Sequence, residues 1–319
     1  MHKGRRDSVQ DLRRVMRFAQ INFFLLVAAF ATAFTAYADV SCATWNLKWF
    51  PSGKYNVRNT LRAEALSIER AGLAIAYAIN EIEGGALKDR VILFLQEVRD
   101  SEACSNLVAA CNVPSLSVAS VSDFKDSSGI SLWQQTAILS TLPVVDSGYE
   151  EWSFTNGVKS PRGFAYAVLD AGKDGQIMCF STHLKSNLNF SGNELGEQEN
   201  ILKRENSAAQ MLSKIKMLKT TFPDASKVIV AGDFNTNEDD LAFVSEATLR
   251  SFFAAHFNSC FTGLKKNERV THPGNGQYED ATFDYILFRG FARKRVVKIY
   301  NGADISDHNM VAINLSTER

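Results

Sequence analysis

Short apolar runs that stop abruptly at a polar residue recur along the chain. Val91-Ile92-Leu93-Phe94-Leu95 runs into Gln96-Glu97, and Lys227-Val228-Ile229-Val230-Ala231 into Gly232-Asp233. Runs this continuous and this rich in branched residues predict strands buried on both faces. Further strands are expected near 132–139, 164–169, 176–183, 282–288 and 309–315. Leu61 to Ile82 carries apolar residues or glycine at 61, 65, 68, 72, 75, 79 and 82, a helical stripe that stops at Gly84-Gly85. A second helix is expected over 197–219, with Met211, Leu212, Ile215 and Leu218 as core packing. Strands with interleaved helices fit a two-sheet core covered by helices on both outer faces.

The polar residues that end these runs carry the candidate chemistry. They are Asn46 in Thr44-Trp45-Asn46-Leu47, Glu97, His183 in Ser181-Thr182-His183-Leu184, Asp233 with Asn235 in Gly232-Asp233-Phe234-Asn235, and Asp307-His308 after Ser306. Any one of them could simply cap a helix or fix a turn. Five strand ends together are harder to dismiss, because polar ends of adjacent strands converge on one rim of a sheet, where open α/β folds place ligands. Hydrolysis of a phosphodiester, itself an anion, calls for a cation on the phosphate oxygens, an oriented water and relief for the leaving oxygen. Asn46, Glu97 and Asp307 offer oxygen ligands for a hard ion, and magnesium takes only one or two carboxylates and keeps water and substrate phosphate for the rest. Zinc is disfavoured, since no two histidines lie at i, i+4 and no Cys-x-x-Cys occurs. His2, His256 and His272 have no apolar run beside them and read as surface or loop residues.

Taken in order, Thr44-Trp45-Asn46-Leu47, Leu95-Gln96-Glu97-Val98, Thr182-His183-Leu184-Lys185-Ser186, Gly232-Asp233-Phe234-Asn235, Thr282-Phe283-Asp284-Tyr285-Ile286 and Ser306-Asp307-His308-Asn309 resemble the motifs of the endonuclease/exonuclease/phosphatase (DNase I-like) superfamily. The resemblance runs from about residue 41 to the C-terminus. It implies an α/β fold, a four-layer α/β/β/α sandwich of two packed mixed sheets. It also implies Mg2+ (Mn2+ or Ca2+ as substitutes) at Asn46 and Glu97, with Asp307 at the metal or its water shell. Asp233 and Asn235 match the pair that orients or deprotonates the attacking water and holds the phosphate. Asp284 matches the carboxylate that fixes the tautomer of His308 and raises its pKa, and His183 a second histidine on the phosphate and leaving oxygen. Some relatives support that second histidine with a glutamate, and the sequence does not identify which residue, if any, takes that place here. Arg162, before a strand-like run, stands where relatives often carry a substrate-contacting arginine, with a plain loop arginine as the other reading. Gln135 stands where they have a polar residue opening a strand near the site. Lys185 joins these as a substrate-binding candidate.

The N-terminus bears on compartment. Six basic residues within the first twenty precede an almost wholly apolar stretch, Ile21 to Ala38, that ends Ala36-Tyr37-Ala38. That is the pattern of a secretory signal over 1–38, cleaved before Asp39, leaving one domain over 39–319; an uncleaved anchor is the alternative, at the short limit for a span. The segment takes six of the 35 basic residues and two of the 35 acidic ones, leaving 29 against 33 and a net charge of about −4. Bulk charge therefore does not drive nucleic-acid binding, and a nuclease would need a local basic rim from Lys54, Arg58, Arg162, Lys185, Lys265, Lys266 and Arg269. The five cysteines, Cys42, Cys104, Cys111, Cys179 and Cys260, are an odd number, and if 104–111 is helical Cys104 and Cys111 are roughly 10 Å apart, too far to bridge.

The expected function is that of a secreted or periplasmic metal-dependent nuclease, an endonuclease on DNA or on DNA and RNA, working as a monomer without stable membrane association. His183-Leu184-Lys185-Ser186, a polar loop and a long helix resemble the arrangement in secreted bacterial nucleases of the superfamily. A sphingomyelinase- or inositol-phosphate-type phosphoesterase would use the same residues and want an exposed apolar loop, for which Trp152-Ser153-Phe154 is the candidate. A non-catalytic binding module would not be expected to keep the whole set.

Overall fold

The structure, a computed structural model, describes residues 39–52, 61–83, 90–189, 192–276, 278–302 and 304–317. The expected signal segment 1–38, the helix stop at Gly84-Gly85 and the rim candidates Lys54 and Arg58 lie outside these residues. In chain order the elements are β1 (Val40–Phe50), α1 (Leu61–Glu83), β2 (Val91–Val98), α2 (Ser101–Cys111), β3 (Ser117–Val121), β4 (Gln135–Ser140), β5 (Val144–Glu151) and β6 (Gly163–Asp170). There follow β7 (Gln176–His183), α3 (Glu194–Thr221), β8 (Lys227–Asp233), α4 (Thr248–Ala254), β9 (Asn258–Ser259), β10 (Asp284–Arg289), β11 (Arg293–Tyr300) and β12 (Met310–Ser316).

Two six-stranded mixed sheets result, ordered β11-β12-β1-β2-β4-β3 and β5-β6-β7-β8-β10-β9. The unbroken apolar runs are explained by burial of both faces of the central strands. In β2, Ile92 and Phe94 face the core shared with the second sheet, whereas Val91, Leu93 and Leu95 face α1 and α2. The same alternation sends Val311, Ile313 and Leu315 of β12 inward and Met310 and Ala312 outward. Ile75, Ile79 and Ile82 of α1 and Leu107 of α2 cover that outer face, and Ala208, Met211, Ile215 and Leu218 of α3 pack with the second sheet. The α/β sandwich expected from the sequence is present.

The differences lie at edges. β3, β5, β9 and β11 were not expected, and β5 (VVDSGYEE) has no fully buried position. An edge strand with one wet face lacks the apolar run that marks a central one. Of Trp152-Ser153-Phe154, the candidate apolar segment of the lipid-phosphodiesterase alternative, Trp152 is buried against Phe164 at 5.1 Å between ring centroids, which leaves Phe154 as its one exposed aromatic ring. Among the described residues no helix is long and apolar enough to cross a membrane.

All five cysteines are buried thiols. Cys104 and Cys111 sit at two ends of α2, which is continuous between them and prevents a bridge. Burial pushes both thiols up to about 12, helped at Cys104 by the charge of Asp100, and raises Cys42 and Cys179 as well. The folded protein should therefore resist Ellman's reagent at neutral to mildly alkaline pH, with the thiols released only by denaturant; fast reaction of the native protein would contradict this packing.

Candidate active site

Strand register assembles the site. β7 runs parallel to β8 with His183 opposite Asp233, and β10 runs antiparallel to β8 with Asp284 opposite Asp233. His183, Asp233 and Asp284 thus form one row across three adjacent strands. Gly232 makes the close approach of β7 and β8 possible: at φ +147° a Cβ there would stand 1.9 Å from the Thr182 carbonyl oxygen.

The first sheet supplies the facing residues. Asn46 pairs in register with Gln96, the β1–β2 pairing then shifts, and Glu97 sits in that irregularity at φ +57°. A buried polar clasp joins the sheets beside it. Gln96 Nε2 donates to Ser181 Oγ at 3.1 Å, and Ser181 Oγ donates to the Leu95 carbonyl at 3.1 Å. The tail is laid against β1 by Trp45 Nε1 donating to the His308 carbonyl at 2.9 Å and Ser306 Oγ donating to the Asn46 carbonyl at 2.6 Å.

Within this frame His308 Nδ1 lies 2.8 Å from Asp284 Oδ2, and its Nε2 lies 3.8 Å from Asp233 Oδ2. His183 Nε2 lies 3.5 Å from the same Asp233 oxygen and 3.9 Å from Glu97 Oε1. The two imidazoles are driven apart. For His308, burial pulls the pKa down, but the charge and hydrogen bond of Asp284 and the charges of Asp233 and Asp307 outweigh it and raise the group to about 10. His183 goes well below its ordinary value, because it is buried and faces Arg162, His308 and Lys185; its Nδ1 has no hydrogen-bond partner among the described residues. Burial lifts Asp233 to about 7, with the Asp284 charge adding and His308, Asn46 and the Asn235 amide opposing.

Oxygen donors at the rim fit a hard divalent cation. Asn46 Nδ2 donates to Glu97 Oε1 at 3.3 Å and to Asp233 Oδ2 at 3.1 Å, so two acids converge on one neutral group, while the amide oxygen, the Asn46 atom a cation would take, accepts the Lys48 N–H at 3.1 Å. Asp307, expected at the metal or its water shell, stands apart from them: it is half exposed and paired with Lys48 Nζ at 2.8 Å. Among the described residues, the histidine-and-acid group whose ligand atoms lie within 4.8 Å of one another is Asp233, Asp284 and His308. There Asp284 already accepts the Nδ1 proton of His308, which gives the buried pair its own charge balance.

The flanking candidates divide. Asn235, at φ +51°, donates its backbone N–H to Asp233 Oδ1 at 2.9 Å. Arg162, at φ +65°, reaches the same rim, donating to the carbonyls of His183 at 3.4 Å and Leu184 at 3.1 Å. Lys185 Nζ donates to the Ser186 carbonyl at 2.7 Å; burial first, then Lys203, Arg204 and Arg162, lower it to about 8. Gln135 is corrected. Its Oε1 accepts from Ser122 Oγ and Phe124 N and its Nε2 donates to the Phe124 and Leu132 carbonyls, so every capacity holds the 122–132 loop and none is left for substrate. Arg269, expected on a basic rim, is ion-paired with both Glu238 and Asp239.

One residue of the site escaped the sequence. The His272 ring lies 4.8 Å from that of His308 and 5.8 Å from Phe283. Its neighbour Thr271 takes the Asp284 N–H on Oγ1 at 3.0 Å and the Asn309 N–H on its carbonyl at 2.7 Å. The only signal was its place in the polar loop before the Asp284 strand.

No family model matches the sequence, and no curated protein sequence matches it. Solved structures do match. An endonuclease/exonuclease/phosphatase protein from Beutenbergia cavernae superposes with a TM-score of 0.59 at 15% identity, over 87% of this chain and 71% of that one. Sphingomyelinase C from Streptomyces griseocarneus gives 0.57 at 17% identity over 86% and 99%, and the human Nocturnin catalytic domain with bound sulfate 0.58 at 16% over 88% and 95%. The likeness is one of fold, and the chain carries the fold of endonuclease/exonuclease/phosphatase proteins.

The clasp can be tested by stability. Ser181→Ala leaves the buried Gln96 amide short of a partner, which costs about 1–3 kcal/mol; an unchanged urea midpoint would show that the clasp does not hold the sheets.

Proposed function

We propose that this chain is a secreted, metal-dependent phosphodiester hydrolase, an endonuclease on DNA with RNA as the second substrate, acting as a monomer. The observation that carries it is the buried His308–Asp284 pair aimed at Asp233 from a shared rim. Asp284 holds the Nδ1 proton, which leaves Nε2 of a cationic His308 to face the charge that develops on a phosphate. Asp233, whose proton affinity burial has raised, is the group to orient and deprotonate water, with Asn235 beside it. His183, neutral in its setting and lacking a carboxylate behind Nδ1, is the hydrogen-bond donor to phosphate, so the acid role passes to His308. Asn46 and Glu97 would hold the cation, which when bound supplies Lewis-acid stabilisation of the phosphate oxygens. Arg162 flanks the substrate.

The burial of Trp152 favours nucleic acid over a membrane lipid, even though a sphingomyelinase shares the fold. Residues 1–38 are proposed as a signal cleaved before Asp39, an outcome that N-terminal sequencing of exported protein would check.

Supercoiled plasmid, RNA and sphingomyelin vesicles offered in parallel, with magnesium and with chelator, should give nicking of plasmid that chelator abolishes. Headgroup release without nicking would transfer the activity to lipid. His308→Ala and Asp233→Ala should each lower kcat/KM by roughly 10²–10⁴-fold with the thermal transition retained; near wild-type turnover in either would remove that residue from the chemistry.

A further inference from the structure

Beside the catalytic row, and outside it, a cleft of about 480 Å³ opens between the 124–132 loop, the 159–162 turn and α3. Five cations line it: Lys125, Lys159, Arg162, Lys185 and Lys203. Two lining acids, Asp126 and Glu151, and two beside the lining, Asp123 on Lys125 and Glu199 on Lys203, stand against them, which leaves the cleft positive by one on a protein whose proposed mature form is net negative. We propose that this cleft takes a second phosphate of the substrate, next to the one being cleaved. The proposal rests on the phosphodiesterase reading above and deepens it by saying where the phosphate next to the scissile one would sit.

Continuity with the catalytic row comes first. Arg162 forms the shared wall, since it lines the cleft while its guanidinium donates to the His183 and Leu184 carbonyls. The Arg162 Nε is buried and has no hydrogen-bond partner among the described residues. Lys185, two residues beyond His183, is the other shared cation. Burial first, and then like charges at Lys203, Arg204 and Arg162, weaken the hold of Lys185 on its proton, with Glu199 opposing, so the crowding adds to an unfavourable setting. A polyanion relieves such crowding, as Arg and Lys side chains gathered in a concave wall concentrate anions there.

The walls are also held in place. Gln135 fixes the loop that bears Phe124, Lys125 and Leu132 through all four of its hydrogen-bonding capacities. Ser160 Oγ donates to the Lys203 carbonyl at 2.7 Å, and Ser207 Oγ lies 3.0 Å from Ser160 Oγ, which ties the turn to α3. The buried Arg204–Glu246 pair, 2.8 Å from Nε to Oε1, anchors that part of α3, and Arg204 Nη1 donates to the Lys185 carbonyl at 3.2 Å. The lysine heads differ in their hold: Lys203 pairs with Glu199 at 2.6 Å, whereas Lys159 reaches Glu151 at 3.3 Å and Lys125 reaches Asp123 at 3.4 Å, both of these pairs about half exposed. Exposed pairs of this kind are worth little and can be given up to a phosphate.

The test measures binding apart from turnover. Inorganic pyrophosphate is titrated calorimetrically into the exported protein in chelator, then into Lys159→Ala and Lys203→Ala. Each variant should weaken binding roughly tenfold, as loss of a charge-assisted contact does, with the thermal transition kept. Equal affinity in all three proteins overturns the proposal. In parallel, kcat/KM is measured for a short oligothymidylate and for bis(4-nitrophenyl) phosphate, which has a single phosphate. The ratio of the two should fall roughly tenfold in the variants; a ratio the variants do not move also overturns it. Failure of the wild type to cleave either substrate, while pyrophosphate binding still depends on Lys159 and Lys203, would sink the catalytic reading and leave the anion cleft standing.

Discussion

A carboxylate in the middle of two packed sheets is the constraint on which the rest depends. Burying Asp233 costs several kcal/mol unless partners surround it, and its partners come from distant parts of the chain. Asn46 arrives from β1, His183 from β7, His308 from the segment before β12, and the Asn235 amide from the turn after β8. The Asn235 contact is local and His183 stands on the neighbouring strand of the same sheet, but the Asn46 and His308 contacts exist only once both sheets have closed and the tail lies on β1. The site is therefore complete only when the fold is, and the Gln96–Ser181 clasp, one residue from Glu97 and two from His183, sets how the two rims meet.

Backbone strain gathers at the same rim. Lys48, Trp49, Glu97, Arg162 and Asn235 all have positive φ without being glycine, at about 1–3 kcal/mol each. Lys48 and Trp49 turn the end of β1 so that their N–H groups reach the Asn46 amide oxygen and the Glu97 carboxylate. Positive φ at Glu97 goes with the break in register after Asn46 and Gln96, which a regular strand would not show. Regular strands would satisfy the backbone better and aim these side chains elsewhere, so the strain is tied to presentation of the rim.

How much of this the sequence discloses follows from burial. Central strands are covered on both faces, so β2, β8 and β12 announce themselves as apolar runs, and polar residues at their ends stand out for the same reason. Edge strands β5 and β11, and the short helix α4, bury less and leave no such trace. Site residues that close an apolar run, such as Glu97 and Asp233, were legible. His272 was not, because a loop residue that packs its ring on His308 has neighbours only in three dimensions. Gln135 and Asp307 show the reverse limit: position in a motif indicated proximity to the site, but only the contacts reveal that one serves a loop and the other pairs with Lys48.

Two histidines in one small site differ in charge, one cationic and one neutral, and the difference comes from what backs them. Both are buried, and burial alone would make both neutral. His308 has the Asp284 carboxylate 2.8 Å behind its Nδ1, whereas His183 has no hydrogen-bond partner at Nδ1 among the described residues and has the Arg162 guanidinium among its neighbours. Environment has separated two like groups into a cation and a neutral donor, which is the pattern expected when one must stabilise developing negative charge and the other only orient it. Making both cationic would set three positive groups, with Arg162, against one another at the rim before any anion arrived. Making both neutral would leave Asp233 and Asp284 buried without compensation. The single cation is thus the arrangement that both folding and phosphate chemistry favour.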